Sequence, residues 1–84
     1  MRLGVQFRGT LAPRQTRRWF THSWSDAYNV VWTVVPTGTY LNGRIEWDVE
    51  VKRQSSSRLT YYIEVKNVSM LPVEIEARYA ILNR

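Results

Sequence analysis

Cysteine is absent from this 84-residue chain, which excludes a disulfide framework, a cysteine-based zinc site and a thiol nucleophile together. Histidine is nearly absent as well: His22 is the only one, and Asp26 is the only acid near it in sequence. Two potential ligands without a third make a poor metal site, and a lone imidazole beside Ser23 and Ser25 has no nucleophile arrangement to serve. No Gly-rich phosphate loop, zinc-ligand spacing or nucleophile-elbow motif occurs. The longest apolar-rich stretch, VVWTVV at 30–35, is far shorter than the roughly 20 residues needed to span a bilayer as a helix. The opening MRLGVQFRG lacks the continuous apolar core of a secretory leader, and because leaders are removable the compartment stays open. These absences leave no catalytic residue, metal ligand or cofactor to name, and no segment has a helical period.

What is present is aromatic and cationic. Four Trp, five Tyr and two Phe supply large apolar surfaces to a chain whose length allows one domain, residues 1–84. The net charge is +5, and it is concentrated early: Arg2, Arg8, Arg14, Arg17 and Arg18 stand against Asp26 alone in the first 28 residues. Such a face can be simply solvated, or it can attract a polyanion.

The apolar period is two nearly everywhere. In GRIEWDVEVKR, 43–53, Ile45, Trp47, Val49 and Val51 alternate with Glu46, Asp48, Glu50 and Lys52, and in RLTYYIEVKN the inward set is Leu59, Tyr61, Ile63 and Val65. QSSS, 54–57, joins them at hairpin length. PVEIEARYAIL puts Val73, Ile75, Ala77, Tyr79 and Ile81 on one face, after a turn at KNVSML. Leu3, Val5 and Phe7 alternate in the first segment, and GTLAPRQ bends the chain. QTRRWFTH continues with Arg17, Trp19 and Thr21 on one side and Arg18, Phe20 and His22 on the other, either of which suits a core. YNVVWTVVP is apolar on both faces, as in a central strand covered twice or a strand placed against a partner. TGTYLNG then makes a turn-rich loop. The expectation is an all-β fold: one small antiparallel β-sandwich of about six strands, of jelly-roll or immunoglobulin-like type.

Glu46, Asp48 and Glu50 form a carboxylate row suited in principle to Ca²⁺ or to a glycosidase pair, and equally to a solvated sheet face matched by Lys52, Arg58, Lys66 and Arg78. Sugar binding needs an aromatic platform beside planar polar groups. Trp24, Asp26 and Tyr28 in one loop, with Tyr40, Asn42 and Arg44 in another, supply that set if the two loops meet.

The runs GTLAPRQTRRWFT, 9–21, and NVSMLPVEIEARYAIL, 67–82, resemble the opening and closing strands of small bacterial β-sandwich modules of the pre-peptidase C-terminal or jelly-roll type. Arg14 stands where such domains usually have a turn glycine, and the acidic metal-binding stretch of some members is missing. The resemblance implies a noncatalytic, extracellular accessory module, with no site residue to carry over.

The first functional expectation is therefore a noncatalytic module recognising a glycan or other polymer through Trp24, Asp26, Tyr28, Tyr40, Asn42 and Arg44. The alternative is a structural module that self-assembles as a homo-oligomer through a strand edge or aromatic face. Single-stranded nucleic acid is disfavoured: QTRRWF alternates arginine and aromatics, but the other strands present acids on their polar faces.

Overall fold

The computed structural model describes residues 1–39 and 41–84. Six strands follow one another: β1 Arg2–Leu11, β2 Thr16–Ser25, β3 Val30–Pro36, β4 Ile45–Arg53, β5 Arg58–Asn67 and β6 Val73–Ile81. There is no helix among the described residues. The strands form two three-stranded antiparallel sheets, ordered β1-β6-β3 and β2-β5-β4, in a sandwich-like arrangement. Among the described residues only β4 and β5 are joined as a hairpin within a sheet; Gln54 and Ser55 close it by donating backbone N–H groups to the Arg58 carbonyl.

The core is made by the alternating faces of the two central strands. Ile63, Val65 and Tyr61 of β5 meet Val73, Ile75 and Ala77 of β6, with Leu11, Trp32 and Val34 completing the buried cluster. The face of β2 that the sequence leaves undecided is settled by pairing. Trp19 lies opposite Ile63 and Thr21 opposite Tyr61, so they face the core, while Phe20 lies opposite Tyr62 on the outer face.

Three features depart from the simple alternation. Strand β1 extends through Gly9, Thr10 and Leu11, which pair with Ile75, Glu74 and Val73, so the bend shrinks to residues 12–15. There Gln15 donates to the Ala12 carbonyl across Pro13 and Arg14, and Arg14 takes φ 64°, the left-handed conformation for which glycine is ordinarily preferred. Between Val5 and Phe7 the register slips by one residue. Leu3 and Val5 therefore lie on the outer face, opposite Ala80 and Arg78, and only Phe7 turns inward opposite Ala77. Finally, β3 is an edge strand, not a central one: it pairs with β6 alone, and its second apolar face leaves Val31 exposed.

One buried polar group ties the layers together. Asn67, at the end of β5, is fully buried. Its Nδ2 donates to the carbonyls of Leu11 (3.2 Å), Ala12 (3.1 Å) and Leu71 (2.7 Å), and its Oδ1 accepts from the Ser69 N–H (2.9 Å) and hydroxyl (2.6 Å). It thereby ties backbone carbonyls at the end of β1, in the β1–β2 turn and in the β5–β6 turn to one side chain.

Candidate functional site

Trp24 is the key residue of the expected platform, and it faces the core. It belongs to β2, not to a loop. A second register slip, between Thr21 and Trp24, accommodates an extra residue, and Ser23 takes φ 66° there. The slip lets both Thr21 and Trp24 point inward although they are three residues apart. The Gln54 side chain holds the bulge by accepting the Ser23 N–H at 2.9 Å. Inside, the Trp24 ring packs edge-on against Trp32 (5.4 Å), Tyr61 (6.2 Å) and Tyr79 (5.2 Å), and its Nε1 donates to Thr21 Oγ1 at 2.8 Å. Trp24 thus plugs one end of the sandwich. Burial in this cage raises the Tyr61 pKa.

The other residues of the expected platform do not converge. Asp26 accepts an ion pair from Arg53 at 3.1 Å, and Tyr28 lies under the Arg84 guanidinium, 5.2 Å from its ring centre. Both sit beside the start of β5 and the end of β6. Asn42, at φ 68°, and Arg44 lie past the far end of β3; the Arg44 carbonyl accepts from Val68, beyond the end of β5. Between the two groups runs the whole of β3, seven residues or roughly 23 Å. Tyr40 falls outside the described residues. Asp26 and Tyr28 therefore do not meet Asn42 and Arg44, because the two pairs lie past opposite ends of one strand.

His22 is exposed on the bulge, with its Nδ1 3.2 Å from Ser23 Oγ and its ring 6.1 Å from Phe20. Among the described residues no three His, Asp or Glu side chains are grouped to hold a metal. The carboxylate row lies on the outer face of β4: Glu46 is opposite Lys66 and Glu50 accepts from Arg18 at 2.8 Å, while Asp48 lies opposite Glu64. On the other sheet, Glu76 is gripped by Arg78 (2.8 Å) and Arg8 (2.9 Å). Those hydrogen bonds, Arg78 first, lower the Glu76 pKa, the opposite of what a general acid requires.

The remaining feature of the surface is an asymmetry between the two long sides of the sandwich. On the β1/β2 side, Phe7 stacks on Trp19 at 4.4 Å and the Arg17 guanidinium covers Trp19 at 4.5 Å, closing the core. On the β3/β4 side the core face is left open. Trp47 and Val51 share a face with buried Val65 and Tyr61, yet they are 40% and 56% exposed. Sequence alternation places both residues inward and carries no signal that nothing covers them.

No protein family model, curated protein or solved structure matches the chain.

Proposed function

We propose that this chain is a noncatalytic, self-assembling β-sandwich module that docks through its β3/β4 side. The observation that carries this reading is the exposure of Trp47 and Val51 on the face they share with buried Tyr61, Ile63 and Val65. Apolar side chains on the core face of a sheet gain by being covered, and a small domain has little other area with which to stabilise itself. The inward packing of Trp24 removes the main support of the glycan-platform reading and favours assembly. Of the sandwich types, the jelly-roll suits the chain better, because every connection except the β4–β5 hairpin crosses between sheets. That assignment, and the resemblance to small bacterial accessory modules, fit a noncatalytic part.

Sedimentation with multi-angle light scattering tests the proposal. The chain is expected to run at a multiple of its monomer mass. Val51→Lys returns it to monomer with an unchanged circular dichroism spectrum, because the residue is already solvated in the single chain. Leu3→Lys, on the outer face of the other sheet, leaves the assembly intact. A wild-type monomer at every concentration overturns the reading, as does an assembly indifferent to Val51→Lys.

A further inference from the structure

We propose, building on the assembly reading above, that the partner is a second copy of this chain joined edge to edge through β3, antiparallel, with the two-fold axis at Thr33. Four strand edges are available, and three carry the features that block strand addition. Strand β1 has Arg2, Arg8 and a register break; β2 has Arg17, Arg18 and a second break. Strand β4 has Glu46, Asp48, Glu50, Lys52 and Arg53, and pairing it with itself about Val49 would set Asp48 against Glu50. Strand β3, VVWTVVP, has no charge, and its register against β6 is unbroken.

The backbone of β3 presents a self-complementary edge. Leu82 donates to the Asn29 carbonyl and Thr37 donates to the Glu74 carbonyl, so these two pairs bracket the β3/β6 ladder. Antiparallel alternation then assigns Val31, Thr33 and Val35 to bonding with β6. Val30, Trp32 and Val34 turn their N–H and C=O groups to the free edge, where Pro36 offers a carbonyl alone. An axis at Thr33 pairs the whole strand without overhang. Trp32 then exchanges bonds with Val34 of the second copy, and Val30 donates to the Pro36 carbonyl, while the Val30 carbonyl stays with solvent because proline has no N–H to return.

The side chains agree with that register. On the outer face Thr33 meets Thr33, and Val31 meets Val35, which are favourable neutral pairs. On the core face the second β3 extends the roof over Trp47 and Val51, the residues left uncovered in the single chain. The joined sheet reads β1-β6-β3-β3-β6-β1 and ends on the charged, bulged β1 edges. The assembly is a closed dimer and not a growing fibre.

Because the chain has no cysteine, single-cysteine variants report the geometry directly. At the axis, Thr33 is a non-hydrogen-bonded pair with a Cα separation of about 4.5 Å, within disulfide range. Under mild oxidation Thr33→Cys is expected to form a covalent dimer roughly a hundredfold faster than Thr10→Cys on β1, as an effective concentration of about 1 mM over about 10 μM protein requires. In parallel, the Val30, Trp32 and Val34 amides of the unaltered chain lose hydrogen-exchange protection on dilution. If the wild type is oligomeric but Thr33→Cys links no faster than Thr10→Cys, the β3 geometry is wrong and the assembly reading survives. Rapid linking by Val31→Cys with itself refutes the axis at Thr33. A wild type that is monomeric throughout removes both proposals.

Discussion

Replacing Asn67 by alanine is expected to remove a large share of the stability of this domain. Its side chain makes three donor contacts from the two hydrogens of one amide, and two acceptor contacts to Ser69, all in a fully buried position. At about 1 kcal/mol net for each effective bond, the loss is about 4 kcal/mol. Small domains have only about 5–15 kcal/mol in total. Urea unfolding followed by tryptophan fluorescence gives the number, with a lower midpoint at unchanged slope as the expected form. Ser69→Ala alone is expected to cost about 1 kcal/mol, and less in the Asn67→Ala background, where its hydroxyl has already lost its Asn67 acceptor. A loss below about 1 kcal/mol for Asn67→Ala would refute the argument, since it would mean that water replaces the amide at no cost.

Trp24→Ala is expected to cost about 3–5 kcal/mol, because it empties the space enclosed by Trp32, Tyr61 and Tyr79; a melting temperature close to wild type would return Trp24 to the surface. Gly4→Ala is expected to destabilise by about 1–3 kcal/mol, since a Cβ at Gly4 overlaps the Tyr79 ring lying across it, and Gly4→Ala with Tyr79→Leu should lose less than the two changes added; simple additivity counts against the overlap. Glu76 has its folded pKa lowered by Arg78 and Arg8, so its contribution is present above the unfolded carboxyl pKa and is lost as pH falls through the lower folded value. Unfolding curves for wild type and Glu76→Gln should therefore converge on acidification, and a gap independent of pH would contradict the assignment.

The period-two spacing in the sequence was enough to define six strands, the β4–β5 hairpin and the inward sets Leu59 to Val65 and Val73 to Ile81, because side-chain alternation is a local property of extended backbone. It failed where one residue is added. The slips near Gln6 and His22–Ser23 move Leu3 and Val5 outward and Trp24 inward, and nothing local in the alternation marks a bulge whose partner strand is more than 30 residues away. Strand order is non-local for the same reason. VVWTVVP reads as a central strand covered on two sides or one placed against a partner, and its pairing to β6 alone makes it an edge. The separation of Asp26 and Tyr28 from Asn42 and Arg44, and the uncovered core face at Trp47 and Val51, follow from that one placement. Asn67 appeared as an ordinary turn residue, because the carbonyls it satisfies are brought to it from Leu11 and Ala12 only when the two sheets close.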